Sequence, residues 1–409
     1  MNVMKISAHY LWLALIGLVP GAQANLDLPV PPEFKFRPQT IDDQLQIGYG
    51  LVIADLDGGG KDDIIVADQR EIVWYQNPTW SKHRLVGQLT ERDNVCIAAR
   101  DIDNDGRAEV AVGAGWNPGD TLTSGAVFYL VPPEDRTQEW TPIQLPHEPT
   151  VHRMHWIKDR HDRFFLAVLP LHGRGNRNGE GAGVRFMGYY RPPDPRGVWE
   201  TFVLNDELHI AHNFDPVRWD GPDEAEEMLV AAKEGLLVTR WQDDHWFTQQ
   251  YTTNAAGEAR SGRLPSGRRF LTSIEPFHGN ELVVNTPIMT FTGKLSYTRK
   301  RVVLDDTLIQ GHALATGDLY GAGWDQIVVG WRGPIPMREG VQVGIKLFVP
   351  TDKRGYGWKE HALIDDNTMA CEDLKLADLD GDGRLDIIAC GRATKNVIIY
   401  WNETPPWEP

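Results

Sequence analysis

The chain has 409 residues, a formal net charge of −16, 15 Trp, 40 Gly, 27 Pro and only 3 Cys. An acidic balance of that size argues against a nucleic-acid partner, and three cysteines do not make a disulfide framework. Abundant Trp, Gly and Pro without a long amphipathic helical stretch predict an all-β fold rich in turns.

In chain order, Lys5 followed by the mostly apolar run Ile6 to Leu18 and the small-x-small triplet Ala22-Gln23-Ala24 reads as a signal peptide over residues 1–24. Residues 25–409 are then expected as one periplasmic or secreted domain, a monomer. The apolar run is too short for a bilayer span, and nothing comparable comes after it.

A repeat dominates the rest of the chain. Trp80–Leu85, Trp140–Leu145, Trp199–Leu204, Trp246–Tyr251, Tyr297–Val302 and Trp358–Leu363 share an aromatic, a polar alternation and an aliphatic end. They recur roughly 50 to 60 residues apart, the length of one four-stranded propeller blade. A seventh copy, Phe34–Ile41, has no blade before it, whereas the last blade, ending at Asn396–Asn402, lacks an outer strand. A seven-bladed β-propeller is therefore expected, closed by the N-terminal strand joining the C-terminal blade, which removes two free sheet edges.

Each inner strand runs into an Asp-rich turn. Asp101, Asp103, Asp105 and Glu109 form one, Asp378, Asp380, Asp382 and Asp386 another, and Asp55, Asp57 and Asp63 a third with one carboxylate fewer. Carboxylates at alternate positions with Gly at the sixth curl oxygens around a hard cation, so Ca2+ is expected there. Degenerate copies at Asp318–Gly323 and around Trp219 are expected to hold none. This pattern resembles the FG-GAP/VCBS type of propeller, also found in integrin α-chains, and the resemblance implies that these loops are scaffolding.

Residues entering the inner strands should ring the central axis on the opposite face. Counting six back from the first loop Asp gives His312 and Glu372, with Val95 and Tyr49 in the first two blades. His152 and His212 align at the same place less surely. In the fifth blade Arg268-Arg269-Phe270 are expected there, which leaves His278 at a loop end. His152, His212, His312 and Glu372 are thus the candidate catalytic group, because a structural blade needs none of them. Loops on the same face add Arg174, Arg332 and Arg392 for an acidic or polyhydroxylated ligand, with His172 and Asn176 beside Arg174 and Trp331 as a stacking face. Cys371 and Cys390 are expected about four residues out of register and therefore as free thiols.

The sequences around this ring (His152-Arg153, His209…His212-Asn213, Ile274–Gly279, Gly311-His312-Ala313 and Ala370–Leu374) resemble the propeller of the aldos-2-ulose dehydratase family. They are more distantly similar to propeller lyases that cleave uronate-linked saccharides. The resemblance implies β-elimination on a keto-sugar or uronate-containing saccharide and a further divalent cation at the axis. In this reading His152, His212 and Glu372 hold the cation, His312 is the base and the arginines orient the sugar. Two alternatives stay open: a non-catalytic calcium-dependent saccharide-binding or adhesion propeller, and a glycoside hydrolase using Glu372 with Asp93 or Glu275.

Overall fold

The structure is a computed structural model that describes residues 27–219, 221, 225–290, 295–334 and 336–407. The expected signal peptide lies outside these residues. Seven four-stranded antiparallel sheets form the blades, each running from an inner to an outer strand. Blade 1 is Gly50–Ala54, Asp63–Ala67, Glu71–Gln76 and Ser81–Gly87; blade 2 is Cys96–Arg100, Glu109–Ala114, Ala126–Val131 and Thr141–Leu145. Blade 3 is Val151–Lys158, Phe164–Pro170, Phe186–Tyr190 and Glu200–Asn205; blade 4 is Ala211–Val217, Glu227–Ala232, Gly235–Gln242 and His245–Gln250. Blade 5 is Glu258–Arg263, Arg269–Glu275, Glu281–Asn285 and Arg301–Asp305; blade 6 is Gly311–Gly317, Gln326–Trp331, Gly344–Pro350 and Trp358–Asp366. Blade 7 is Cys371–Ala377, Asp386–Gly391, Val397–Asn402 and, as its outer strand, Phe36–Asp42 from the start of the described chain.

Burial follows strand position. Second and third strands sit between neighbouring sheets, and runs such as Asp63–Ala67 and Val397–Asn402 are buried at every residue. Outer strands face water on one side and alternate, as in Arg301–Asp305. The apolar core is correspondingly seven clusters among the described residues, each wedged between two adjacent blades. One of them joins Leu51, Ile64 and Tyr75 of blade 1 to Ile388, Val397 and Trp401 of blade 7. Phe36–Asp42 pairs with Val397–Asn402 from Phe36↔Asn402 to Asp42↔Val397. The Trp401 indole N–H donates to Gln39 Oε1 at 2.8 Å across that seam.

Two alignments differ from expectation. The outer strand of blade 5 begins at Arg301, not Tyr297, which is buried against Trp219 and Tyr251 instead. More consequentially, Arg268-Arg269-Phe270 opens the second strand of blade 5, and the inner strand is Glu258–Arg263. The turn between them, Leu264 to Arg268, carries no Asp, so counting back from a loop Asp had no anchor. Cys371 and Cys390 are buried and free, but not four residues apart in register: Cys371 lies opposite Gly391, and Asp373 opposite Cys390.

Candidate functional site on the propeller axis

His152, His212, His312 and Glu372 are each the extra residue of a β-bulge. In blade 3, Val151 pairs with Pro170 and Arg153 with Leu169, leaving His152 unpaired. The same skip leaves out His212 in blade 4, His312 in blade 6 and Glu372 in blade 7. Blades 1, 2 and 5 run in regular register at this point. A bulge inserts one residue without shifting its neighbours' faces, so it re-aims a single side chain while the rest of the strand keeps its alternation. All four side chains converge at one end of the axis and are buried, at 3–5 % exposure.

Backbone carbonyls of the next blade then orient three of the rings. His152 Nδ1 lies 2.7 Å from His212 O, His212 Nδ1 2.9 Å from Gly257 O, and His312 Nδ1 2.5 Å from Glu372 O. A carbonyl only accepts, so each Nδ1 carries its hydrogen and each Nε2 is left with a lone pair. The fates of those lone pairs differ. Arg153 Nη1 donates to His152 Nε2 at 3.2 Å. His278 Nε2 lies 2.6 Å from His212 Nε2, and Arg332 Nη2 donates to His278 Nδ1 at 3.3 Å, so His278 donates to His212. His312 Nε2 has no hydrogen-bond partner among the described residues; Glu372 Oε1 stands 3.8 Å from it. Burial, reinforced by nearby arginines, holds the His152, His212 and His312 imidazoles well below their ordinary pKa, and His278 likewise, so the cluster is neutral.

His278 comes from the loop after the second strand of blade 5, which opens on the same face as the inner-strand starts. Nitrogen atoms of His212, His278 and His312 lie within 4.8 Å of one another. The set brought together is therefore not the expected His152, His212 and Glu372. Glu372 is committed elsewhere: Arg332 Nη1 donates to both its oxygens at 2.8 and 2.7 Å, and Arg392 Nη1 to Oε1 at 3.0 Å. Arg392 also covers the Tyr49 ring at 4.9 Å, and the Tyr49 hydroxyl donates to Asp93. Trp116, from the long loop of blade 2, stacks on His152 at 4.9 Å.

The remaining loop residues sit apart. Arg174 is exposed, donating to Leu122 O and Glu148. Asn176 is buried and ties its loop together through Ala182 O and His209 O. His172 forms a backbone bridge with Ile210, and its Nδ1 is buried. Trp331 is packed in the core between blades 5 and 6, its indole N–H held by Gln342 O, and offers no stacking face. Glu275, offered as a hydrolase carboxylate, is buried and paired with Arg301 at 2.8 Å.

Beneath the imidazoles, the inner strands enclose a cavity of about 200 Å3. Of its charged lining, Asp373, beside Glu372, was expected at the axis from the sequence, whereas Asp215, Glu258, Arg260 and Lys375 were not. Glu258, Arg260 and Asp215 form one chain of ion pairs and Asp373 with Lys375 another. Alternating charge in Glu258-Ala259-Arg260 and Asp373-Leu374-Lys375 was the available signal. His155 faces the same cavity, and burial pushes its pKa down to about 3. Its folded value lies below the unfolded 6.5, so its contribution to stability is complete above pH 6.5 and is lost as pH falls toward 3. We expect His155→Phe to remove this dependence. In urea unfolding its stability should decline less steeply below about pH 6.5, by up to about 1.4 kcal/mol per pH unit.

The acidic loops lie at the other end of the inner strands. In each, the first Asp accepts two or more backbone N–H groups: Asp101 from Asn104 and Gly106, Asp378 from Gly381 and Gly383, Asp55 from Gly58 and Gly60. Gly106, Gly383 and Gly60 have φ of +83°, +86° and +76°, a region that costs glycine little. Three carboxylates then cluster within 4.8 Å: Asp55, Asp57 and Asp63; Asp101, Asp103 and Glu109; Asp378, Asp380 and Asp386. The fifth-position residues stand outside these groups. Asp105 accepts from the Arg107 N–H, and Asp382 pairs with Arg384. Burial, with neighbouring loop carboxylates adding to it, pushes Asp63 and Glu109 up to about 7 and Asp386 to about 6. In the degenerate loop of blade 6, Tyr320 and Gln326 replace the third and ninth ligands; the loop near Trp219 lies partly outside the described residues.

Comparison with known proteins agrees with this architecture. Among the described residues no helix is long and apolar enough to cross a membrane. Similar solved structures include a chain of a BBS1N–ARL6DN complex (12% identity, TM-score 0.52, 92% of this chain and 99% of that one). The Cps50 (Swd1) β-propeller domain of Myceliophteria thermophila is similar at 10% identity and TM-score 0.53, over 89% and 99% of the two chains. Such likenesses show the fold alone. An aldos-2-ulose dehydratase of Phanerodontia chrysosporium is 26% identical over 239 residues, which are 52% of this chain and 26% of that protein. The chain thus matches about a quarter of the length of that relative. Residues 33–112, the first strand through the second strand of blade 2, match the FG-GAP-like repeat family, and the protein is a seven-bladed β-propeller carrying that repeat.

Proposed function

We propose that the axial cluster carries out β-elimination on a keto-sugar or uronate-containing saccharide. The observation that carries this reading is the unpartnered Nε2 lone pair of His312, held on a buried neutral imidazole beside Glu372 and two guanidiniums. Elimination needs a base for the proton next to a carbonyl or carboxylate and a positive group for the developing enolate. His312 Nε2 takes the proton, and the C–H electrons form the new double bond as the neighbouring C–O bond breaks. The departing oxygen keeps that bond's electrons and takes a proton from solvent. The adjacent Glu372 carboxylate offsets the charge the ring acquires. Arg332 and Arg392 give one carboxylate two cations, leaving an excess of positive charge toward the substrate. The distant similarity to aldos-2-ulose dehydratase supports the substrate class. A glycoside hydrolase needs two available carboxylates, which Glu372 and Glu275 in their ion pairs do not supply.

A divalent cation is the second reading, favoured by the convergence of His212, His278 and His312. Their neutral nitrogens suit such an ion once His278 exchanges its tautomer, and the ion would polarise the sugar carbonyl as a Lewis acid. It would also withdraw His312 from the base role, so one assay separates the readings. The chain is incubated with keto-sugars and uronic-acid oligosaccharides, and ultraviolet absorbance is followed for a conjugated double bond, with and without chelator. Turnover that survives chelation supports His312 as base, and turnover lost and restored by added metal supports the three-imidazole site. Saccharide binding without any absorbance rise would favour the adhesion reading instead.

For the acidic loops we propose structural Ca2+. Adding the ion to chelator-treated protein should stabilise the fold by about 2.7 kcal/mol per site at roughly a hundredfold excess over Kd. The shift should register as a higher Tm and should shrink in an Asp101→Ala, Asp378→Ala double variant.

A further inference from the structure

On the acidic-loop side of the propeller, a cleft of about 620 Å3 opens between blades 3 and 4, three times the volume of the axial cavity. It belongs to two of the blades that lack a complete Asp-rich loop, and none of its lining enters the axial chemistry. Its floor is aromatic. Phe202 and Trp246 lie parallel, with centroids 6.1 Å apart, Trp241 meets Trp246 edge-on at 5.4 Å, and Phe165 closes the base beneath Tyr190, Phe202 and Trp246. Trp241 is 37% exposed, a large indole surface presented to solvent.

The polar edge of the cleft is almost wholly charge-compensated by the protein itself. Arg163 pairs with Asp159 through two nitrogens while lying over Tyr190, and Tyr190 also donates to Asp159. Arg100 forks onto Glu226, and Lys158 holds Asp162. Arg160 covers one face of Trp241 and reaches Asp244. Glu200 is the exception: exposed at the mouth, it makes no hydrogen bond or ion pair among the described residues. A strongly charged ligand would have to break these pairs. A neutral pyranose would not, because its C–H faces pack on aromatic rings and its hydroxyls reach the flanking carboxylates and guanidiniums. The volume falls within the ordinary range of ligand pockets.

We propose that this cleft is a second saccharide subsite, selective for a neutral stretch of a glycan, with Trp241 as its stacking platform and Glu200 as a hydroxyl acceptor. The choice of a saccharide rests on the proposed function, and the cleft itself does not. The eight-residue inner strand Val151–Lys158, roughly 25 Å long, separates its loop from His152. The cleft therefore anchors a polymer and does not position the reacting residue.

The test is calorimetric titration of cellohexaose, laminarihexaose and maltohexaose into the wild type and into the Trp241→Ala, Glu200→Ala and His312→Ala variants. Absorbance assays on uronate oligosaccharides run alongside with the same proteins. We expect at least one hexaose to bind the wild type and His312→Ala equally. Trp241→Ala and Glu200→Ala should each weaken it at least tenfold and leave turnover of short uronates unchanged. The proposal is overturned if no hexaose binds at millimolar concentration, or if Trp241→Ala and Glu200→Ala bind as wild type. It is also overturned if binding is lost in His312→Ala alone, or if a quaternary ammonium probe binds in preference to every hexaose. Failure of elimination with hexaose binding intact would overturn the proposed function and leave the subsite standing.

Discussion

Replacing Glu372 by alanine should destabilise the protein by about 3–5 kcal/mol, the usual cost of leaving buried charge without its partner. Arg332 is only 7% exposed at its side chain and directs Nη1 at both carboxylate oxygens, while Arg392 contributes a third hydrogen bond. Removing the carboxylate strands two guanidiniums beside four imidazoles that burial holds neutral. The loss should be seen as a lower urea midpoint at unchanged m-value. It should be partly recovered in Glu372→Ala, Arg332→Met, which deletes the stranded charge as well. A Glu372→Ala variant as stable as the wild type would mean that solvent reaches this ion pair.

His312→Ala should reduce elimination by about 10²–10⁴-fold, the ordinary contribution of a positioned general base, with little change in fold. Its Nε2 is the axial imidazole lone pair that no arginine or histidine occupies. His152→Ala should act differently. That ring is clamped between His212 O, Arg153 and Trp116, so its loss should disturb KM and stability before the chemical step. Equal losses of kcat in the two variants would indicate that the cluster acts as a unit, for example as ligands of one cation.

The fold was legible in the sequence because a propeller blade cannot bury its two faces alone, and its outer strand is marked by a recurrent aromatic. Trp80, Trp140, Trp199 and Trp246 each stand at or just before the strand they announce. The axial residues were legible where an Asp loop gave a fixed point from which to count, as for His312 and Glu372. Blade 5 has no such loop, so Glu258 and Arg260 were missed, and His278 reached the cluster from a loop that counting along strands does not cover. The bulges were invisible as such. They leave no composition signal, although they explain why a histidine and not its neighbour points to the axis. The roles assigned to loop residues were the least legible. Trp331 and Asn176 have the side chains of ligand contacts, but Trp331 is packed in the core between blades 5 and 6 and Asn176 ties its own loop together, and only coordinates reveal this.

Abstraction of a sugar proton by the axial imidazoles is tested most directly by proton NMR of the protein with a uronate oligosaccharide, followed for a vinylic resonance. The resonance should grow with wild-type protein and with Trp241→Ala, and at least about a hundredfold more slowly with His312→Ala. A vinylic signal that grows equally with His312→Ala, or none with any keto-sugar or uronate, would contradict that chemistry.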